Sequence, residues 1–210
     1  MQDLFGNEIE ESPRKQRDWT GNSRGVFSII GASNHSDSER QSDDYYATPP
    51  RAVEMLLELE TFLHRILEPS CGGGHIGKVL EVHGFEVDAR DLVYRGYGKG
   101  GLDFLKSTET ELDCDCIQNP PYSKAQEFIE KAISVIGNGH KVAAFLKLTF
   151  LEGKNRRTMF EKYPPKVVYV SSSRLACLKN GTEDMAACVA YAWFVWEKGF
   201  HGIPSLKWFN

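Results

Sequence analysis

The sequence has few cysteines and no long apolar run. Its cysteines number five and follow no zinc-binding spacing, and an odd number argues against a disulfide framework. Cys114 and Cys116 alternate within an apolar stretch, as small core residues do. No apolar stretch is long enough to span a membrane, and the sequence contains no cleavable signal. These absences predict a cytoplasmic protein with no metal and no membrane partner.

The composition changes along the chain. Residues 1–43 are rich in Asp, Glu, Ser, Asn, Arg and Gly, so this part cannot bury enough apolar surface to fold alone. It is predicted to be a flexible polar segment, within which residues 19–34 either pack on the rest of the chain or meet a substrate. The length of 210 residues, 41% of them apolar, fits one domain plus a tail. That domain is predicted over residues 44–210.

The four residues Asn119-Pro120-Pro121-Tyr122 carry the most chemical information. They follow a short, β-prone run, residues 112–118, and precede a helical pattern. Proline lacks an N–H and fixes its own φ, so a strand that ends in two prolines cannot continue its ladder. The turn is therefore rigid, at the carboxyl end of a strand, where open α/β sheets bind their ligands. Its amide and its aromatic ring can together bind a flat group that bears an NH2.

This tetrapeptide resembles motif IV of the S-adenosylmethionine-dependent methyltransferases that modify planar amino groups. The resemblance implies that the Asn119 carboxamide and the Pro120 carbonyl accept hydrogen bonds from the target amine, while Tyr122 stacks on the base. Asn119, Pro120, Pro121 and Tyr122 would then be the catalytic residues, with Asn119 also near the cofactor. The simpler alternative is a Pro-Pro loop that closes a strand, with Asn as a turn former.

A glycine turn follows an earlier predicted strand. It begins at residue 68, reads EPSCGGGHIG, and leads into a pattern of helical spacing. Glycine has no Cβ and tolerates positive φ, so the backbone of such a turn can approach a ligand closely. The turn resembles motif I of the same family. The resemblance implies that Glu68, Ser70, Gly72 and Gly74 bind the methionine end of S-adenosylmethionine.

The same glycines also match the dinucleotide fingerprint G-x-G-x-x-G, through Gly72, Gly74 and Gly77. Asp91 follows Gly72 by about 20 residues, after a strand pattern, where a ribose-binding acid belongs in either cofactor's site. The glycine pattern alone therefore leaves NAD and S-adenosylmethionine open. The motif IV resemblance selects S-adenosylmethionine, and Asp91, in the motif II position, is expected to bind both ribose hydroxyls.

Two further segments resemble motifs that bind the cofactor. The sequence GLDFL, residues 101–105, is similar to motif III, which implies that Asp103 meets the adenine amine and Phe104 flanks the ring. A surface helix cap is the alternative for Asp103.

The sequence YYATPP before the first predicted helix is similar to motif X. This implies cofactor contacts from Tyr46, Thr48 and Pro49. Thr48 also suits the N-cap of that helix, with Pro49 or Pro50 in its first turn.

The motif order X, I, II, III, IV resembles that of the γ class of adenine-N6 methyltransferases. Strands alternate with helices, which predicts an α/β, Rossmann-like fold with a mostly parallel sheet and helices on both faces. Later strands are predicted at residues 142–151, 166–172 and 189–196. Ser123 and Gln126 are predicted to form the capping box of the helix after motif IV. The resemblance implies seven strands, of which the last inserts antiparallel.

The net charge of −4 argues against indiscriminate binding of polyanions, but the basic residues are concentrated. Residues 141–180 contain nine Lys or Arg and two Glu. The densest part, with Lys154, Arg156 and Arg157, follows the strand after motif IV. These three side chains are predicted to contact DNA phosphates, and a solvated helix face is the alternative.

The sequence therefore predicts an S-adenosylmethionine-dependent methyltransferase acting on the N6 amine of a flipped or unpaired adenine in DNA. The tetrapeptide is similar to that of protein-glutamine and some RNA methyltransferases, so a protein or RNA substrate stays open. The more distant alternative is a non-catalytic or NAD-using nucleotide-binding module, which only the glycine fingerprint supports.

Overall fold

The structure is a computed structural model that describes residues 46–172, 178–179 and 190–209. The polar segment predicted over residues 1–43 lies outside these ranges, as do two of the five cysteines. One seven-stranded sheet and the helices that cover it form the framework of the described chain.

The sheet is mostly parallel. Its strands are β2 (Arg65–Glu68), β3 (Glu86–Ala89), β4 (Asp115–Gln118), β5 (Lys141–Lys147), β6 (Val167–Ser171), β8 (Tyr191–Glu197) and β9 (Ser205–Phe209). They lie in the order β3-β2-β4-β5-β8-β6-β9, and β8 runs antiparallel to both of its neighbours while the others are parallel. A separate antiparallel pair joins β1 (Tyr46–Ala47) to β7 (Leu178–Lys179). The predicted seven-stranded, mostly parallel sheet is confirmed.

Helices cover both faces of this sheet. They are α1 (Pro50–Leu59), α2 (Gly77–Val82), α3 (Ala125–Val135) and α4 (Arg157–Lys162). Buried residues of α1 and α2 form one core layer with Ile66 and Phe145, whereas those of α3 and α4 form the other with Leu67 and Phe194. The two predicted helical layers are therefore confirmed. No helix in the described ranges is long and apolar enough to cross a lipid bilayer.

The middle of the sheet is its most deeply buried part. β5 and β8 pair over seven residues, and their apolar residues are buried on both faces. A strand covered on both faces needs a nearly continuous apolar run rather than an alternating one. Both runs are of that kind, VAAFL in β5 and YAWFVW in β8. The turns at the carboxyl end of β5 therefore stand on a firmly packed base.

Three predictions about local structure are wrong. The antiparallel strand β8 is not the last strand, because β9 follows it and pairs with β6 at the sheet edge. The strand predicted over 142–151 ends at Lys147, where a 3-10 turn, Leu148–Leu151, begins. Ser123 and Gln126 form no capping box, because another 3-10 turn, Tyr122–Lys124, delays the start of α3 to Ala125.

Candidate active site

The two predicted site turns lie side by side. β2 and β4 are adjacent and parallel, so the turns that follow them meet at one edge of the sheet. The Ser70 hydroxyl, in the glycine turn, donates a hydrogen bond to the backbone carbonyl of Asn119 at 3.2 Å. The fold therefore joins the glycine turn directly to the Asn-Pro-Pro-Tyr turn.

Asp91 holds the glycine turn from the end of the next strand. Its Oδ2 accepts a hydrogen bond from the Gly72 amide at 2.8 Å, and its Oδ1 accepts one from the Val93 amide at 2.8 Å. Gly72 has φ 53° and Gly74 has φ 81°, a region that residues with a Cβ rarely adopt. The residues predicted for motifs I and II are therefore in contact.

Glu68 places a carboxylate beneath the glycine turn. Its side chain is 1% exposed, and its Oε2 has no hydrogen-bond partner among the described residues. Burial raises the pKa of Glu68 well above its ordinary value; the Gly77 amide opposes that rise, and the Asp91 and Glu81 carboxylates add to it. A buried acid of this kind is suited to a cationic partner.

Tyr97 covers the same turn, and the sequence patterns missed it. A β-carbon on Gly77 would lie 2.2 Å from the Tyr97 hydroxyl oxygen and 2.7 Å from Glu68 Oε2, and one on Gly74 would lie 2.4 Å from the Tyr97 ring. The Tyr97 hydroxyl donates to Glu81 Oε1 at 2.8 Å. These two glycines therefore make room for a tyrosine in this structure. The sequence shows this residue only as an aromatic between two glycines, GYG, which does not indicate the turn that it contacts.

The Asn-Pro-Pro-Tyr turn has the predicted position at the end of β4. Pro120 is buried, Asn119 and Tyr122 are half-buried, and Tyr122 opens the 3-10 turn. The Tyr122 hydroxyl donates to the Tyr191 hydroxyl at 3.2 Å, and Lys147 Nζ lies 4.7 Å from the centroid of the Tyr122 ring. Neither Lys147 nor Tyr191 was among the predicted site residues.

An aromatic stack lies behind Tyr122. The Tyr191 ring stacks on Phe145, with centroids 5.2 Å apart, and Phe145 packs on Trp193 at 5.0 Å. The Trp193 indole N–H donates to the Ala52 carbonyl at 2.7 Å. Phe145 and Trp193 are fully buried, so this stack anchors the hydroxyl end of Tyr122 to the core.

The start of α1 lies at the same edge of the sheet. At its other end, just after α1, Glu60 forms an ion pair with Lys141, the first residue of β5, with Nζ and Oε2 2.7 Å apart. The end of α1 therefore lies at the amino edge of the sheet, and its start lies at the carboxyl edge. The prediction that Thr48 is the N-cap is wrong, because Pro49 occupies that position and no side chain caps the helix. Instead Thr48 is 2% exposed, and its hydroxyl has no hydrogen-bond partner in the described part of the chain. A buried polar atom of this kind can accept a hydrogen bond from a ligand or a water that enters the site.

The other segments of the predicted cofactor site have different surroundings. Of Tyr46 the structure describes the backbone, which pairs with Lys179. Asp103 caps a 3-10 turn, Phe104–Lys106, because its Oδ1 accepts a hydrogen bond from the Leu105 amide at 3.2 Å. This is the capping role that the sequence analysis gave as the alternative for Asp103. Phe104 is buried, and the centroid of its ring lies 5.6 Å from that of Phe128.

A cavity of about 310 Å³ adjoins the motif III segment. It is lined by Arg90, Leu102, Asp103, Phe104, Lys106, Ser107, Thr108 and Glu109. Neither Asp91 nor any residue of the glycine turn lines it. The structure therefore brings motifs I, II and IV into contact, whereas Asp103 and Phe104 line a neighbouring cavity.

The basic residues Lys154, Arg156 and Arg157, after β5, differ in how far the fold already uses them. Arg156 turns back and donates to the carbonyl oxygens of Phe150 and Glu152 at 3.2 and 3.0 Å, with its guanidinium 4.6 Å from the Phe150 ring centroid. Arg157 forms an exposed ion pair with Glu161 at 2.7 Å. Lys154 is exposed. The three predicted phosphate contacts are therefore not equivalent.

We expect Arg156→Ala to lower the free energy of unfolding by about 1–3 kcal/mol, because it removes two charged hydrogen bonds and a cation–π contact. Lys154→Ala is the matched control and should change stability by no more than about 0.5 kcal/mol. Urea denaturation of both variants measures the difference. Equal stability of the two variants would contradict the structural role of Arg156.

The Cys71 thiol beside the glycine turn is not activated as a nucleophile. Burial raises the pKa of the Cys71 thiol to about 12, and the nearby Glu68 and Asp91 carboxylates contribute to the rise. Cys71 is therefore a neutral thiol at physiological pH. Within the described residues no three His, Cys, Asp or Glu side chains are grouped so as to hold a metal ion.

The sequence matches no family model and no curated protein. Solved structures do match. A protein of Listeria monocytogenes assigned to the class I S-adenosylmethionine-dependent methyltransferases has TM-score 0.56 and 12% identity, over 87% of this chain and 71% of that one. A Pyrococcus horikoshii protein assigned as an RNA methyltransferase has TM-score 0.54 and 16% identity, over 84% and 99%. A modification subunit of a type I restriction enzyme from Vibrio vulnificus has TM-score 0.53 and 14% identity, over 80% of this chain and 47% of that one.

At these identities the comparisons establish the fold. The chain has the fold of the class I S-adenosylmethionine-dependent methyltransferases, with a mostly parallel seven-stranded sheet between two layers of helices. An antiparallel strand, β8, inserts next to β5 in this sheet. The predicted fold class is thereby confirmed.

Proposed function

We propose that this protein is an S-adenosylmethionine-dependent methyltransferase that modifies the exocyclic amine of adenine in DNA. The observation that carries the proposal is the hydrogen bond between Ser70 and the Asn119 carbonyl. It joins a glycine turn that Asp91 supports to an Asn-Pro-Pro-Tyr turn, at the carboxyl edge of a sheet of the methyltransferase type. Open α/β sheets bind their ligands at this edge.

The residues at this edge fit the cofactor. S-adenosylmethionine carries a cationic amino group, and Glu68 offers a buried carboxylate oxygen that has no partner in the described ranges. Asp91 would accept from the ribose hydroxyls while its hydrogen bond from the Gly72 amide holds the glycine turn. Tyr97 would have to share or leave the space above Gly74 and Gly77. When bound, the cofactor supplies an electrophilic methyl group on a sulfonium.

The Asn-Pro-Pro-Tyr turn would act on the target amine. The lone pair of the adenine N6 nitrogen is delocalised into the ring, which makes it a poor nucleophile. Acceptors at the Asn119 carboxamide and the Pro120 carbonyl would attract the two amine protons and favour a tetrahedral nitrogen, a form of electrostatic preorganisation. Tyr122 would stack on the extruded base. With Cys71 neutral, this mechanism uses no cysteine nucleophile.

Two observations support a nucleic-acid substrate. The matched structures with TM-scores above 0.5 include a restriction-modification subunit and a protein assigned as an RNA methyltransferase. The segment after β5 also presents Lys154 and Arg157 on the surface. We propose these two as phosphate contacts, with Arg156 as their structural support.

The sheet topology weighs against an NAD-binding module. Dinucleotide-binding sheets of the Rossmann type are built from two parallel halves, in the strand order 3-2-1-4-5-6. Here β8 interrupts the parallel series between β5 and β6. The glycine fingerprint is therefore better explained by S-adenosylmethionine.

The deciding experiment supplies cofactor with a labelled methyl group and offers DNA, RNA and protein in separate reactions. Label in DNA, with N6-methyladenine after digestion to nucleosides, is the expected result. Label in RNA alone, or in a protein glutamine alone, would show that the substrate is not DNA, while the protein would still be an S-adenosylmethionine-dependent methyltransferase. Tight NAD binding with no binding of S-adenosylmethionine would overturn the proposal as a whole.

We expect Asp91→Ala to weaken S-adenosylmethionine binding by about 1.5–3 kcal/mol, the range for a lost hydrogen bond to a charged group. Part of that loss comes from the glycine turn, because Asp91 also binds the Gly72 amide. Titration calorimetry measures the change. The control is Asp113→Ala, since the Asp113 side chain is 93% exposed. Equal cofactor affinity in both variants would remove Asp91 from the site.

A further inference from the structure

Tyr97 occupies space that the glycine turn leaves open. In a G-x-G-x-x-G turn the second glycine, here Gly74, allows a ligand and the backbone to approach each other closely. A β-carbon on Gly74 would lie 2.4, 2.7 and 2.8 Å from three atoms of the Tyr97 ring, so the ring rests directly on this glycine. The Tyr97 ring and a cofactor bound against Gly74 therefore compete for the same space.

The same side chain lies next to the buried carboxylate of Glu68. The Tyr97 hydroxyl oxygen and Glu68 Oε2 lie 2.2 and 2.7 Å from one point, the position of a β-carbon on Gly77. Glu68 is 1% exposed, and its Oε2 has no hydrogen-bond partner within the described ranges. A ligand can contact this carboxylate only after a neighbouring group moves. Tyr97 is such a neighbour, and it is half-buried, so its side chain can turn towards solvent.

Among the described residues, two directional contacts hold the Tyr97 side chain on the turn, and both come from α2. Its hydroxyl donates a hydrogen bond to Glu81 Oε1 at 2.8 Å, and Lys78 Nζ lies 5.5 Å from the centroid of its ring. Lys78 also donates to the Gly73 carbonyl at 2.9 Å, so this lysine keeps a partner when the ring turns away. A hydrogen bond changes an equilibrium by about 2- to 10-fold, and an exposed cation–π contact by about 2- to 5-fold. Together they can close the site, and a bound cofactor can outweigh them.

The backbone near Tyr97 is fixed to the end of β3. The Lys99 amide donates to the Ala89 carbonyl, and the Lys99 carbonyl accepts from the Asp91 amide, each at 2.9 Å. The Tyr97 carbonyl also accepts a weak hydrogen bond from the Cys71 thiol, with sulfur and oxygen 3.7 Å apart. Opening of the site therefore needs a rotation of one side chain and no displacement of the loop.

We propose that Tyr97 closes the cofactor site in the free protein, and that its side chain leaves Gly74 and uncovers Glu68 when S-adenosylmethionine binds. This inference rests on the proposed function, since it requires S-adenosylmethionine as the ligand of the glycine turn. A protein whose site is open in only a fraction of its molecules binds the ligand more weakly in proportion to that fraction. The Tyr97 side chain therefore lowers the affinity for the cofactor.

The test measures S-adenosylmethionine binding to the full chain by titration calorimetry. Tyr97→Ala should raise the affinity about ten-fold, because the closed form no longer competes with the open one. Tyr97→Phe keeps the ring but loses the hydrogen bond to Glu81, so the affinity should rise about three-fold. Glu81→Ala should raise the affinity by the same factor. The double variant should go no further, because both changes remove one and the same bond.

Tyr94→Ala is the matched control. Tyr94 lies in the same loop, three residues before Tyr97, and it is 65% exposed. Its replacement should leave the affinity for S-adenosylmethionine within about two-fold of the wild type. If Tyr97→Ala does not fold, the comparison of Tyr97→Phe with Glu81→Ala and their double variant decides the matter.

The outcomes separate this inference from the proposed function. Unchanged affinity in Tyr97→Ala means that the ring lies outside the space of the cofactor, and overturns the inference. Weaker affinity also overturns it, because Tyr97 then contacts the bound cofactor or supports the turn. Binding by Tyr97→Ala with none measurable in the wild type supports it. If neither protein binds S-adenosylmethionine, the proposed function fails, and this inference fails with it.

Discussion

Asn119→Ala is expected to reduce methyl transfer by a factor on the order of 10² or more, the effect of losing one preorganised transition-state contact. Its affinity for S-adenosylmethionine should be nearly unchanged. The structure gives a reason to expect this separation, because Ser70 binds the backbone carbonyl of Asn119 rather than its side chain. Alanine therefore keeps the link between the two turns and removes only the carboxamide. Single-turnover kinetics and calorimetry measure the two quantities.

Asn138→Ala is the control for this variant. Asn138 is exposed in the turn between α3 and β5, at the edge of the sheet opposite the site. Its replacement should leave turnover unchanged. The role of Asn119 is contradicted if turnover of Asn119→Ala stays within a few fold of the wild type. A parallel loss of cofactor affinity would instead move Asn119 from the target amine to the cofactor.

The sequence predicted the two turns that lie side by side at the candidate site, because each turn is encoded locally. Two prolines after an apolar run specify a strand end, and clustered glycines specify a turn with positive φ. The parallel order of the strands then brings both turns to one edge. The Ser70–Asn119 bond follows from that topology.

The positions of Tyr97 and Lys147 beside the two turns could not be predicted, because only tertiary packing brings these side chains there. Tyr97 reaches the glycine turn from a loop that follows Asp91, and nothing in the local pattern fixes where that loop folds. Lys147 had the appearance of one basic residue among nine. Its proximity to Tyr122 depends on the β4–β5 and β5–β8 registers, which no local spacing encodes.

The errors in the fold also have physical causes. β9 escaped prediction because it is an edge strand with four exposed residues, SLKW, and only Phe209 buried. Edge strands of this kind lack the alternation that identifies a half-buried strand. The helix after Tyr122 begins late because a 3-10 turn precedes it, and a capping-box pattern cannot distinguish the two kinds of turn. Arg156 seemed a surface charge because its carbonyl partners, six and four residues earlier, become close only through the 3-10 turns.

Glu68→Gln is expected to have opposite effects on stability and on cofactor binding. The folded-state pKa of Glu68 is raised well above its unfolded value, so the folded protein holds this proton more tightly. The stability from this group is complete below the unfolded pKa of about 4.3, and it is lost as pH rises through the folded pKa. Glutamine carries no charge in that window. The variant should therefore become progressively more stable than the wild type as pH rises.

The affinity for S-adenosylmethionine, unlike the stability, should fall when Glu68 is replaced by glutamine. A cationic amino group favours the ionised form of Glu68, so wild-type affinity should rise with pH across the same window. Glu68→Gln should lose that dependence and bind S-adenosylmethionine more weakly by about 1.5–3 kcal/mol, since a charged hydrogen bond is lost. Glu86→Gln, at the exposed start of β3, is the control and should affect neither quantity. Thermal unfolding and calorimetry at several pH values measure both effects. Wild-type cofactor affinity in Glu68→Gln would mean that the buried carboxylate serves the fold alone.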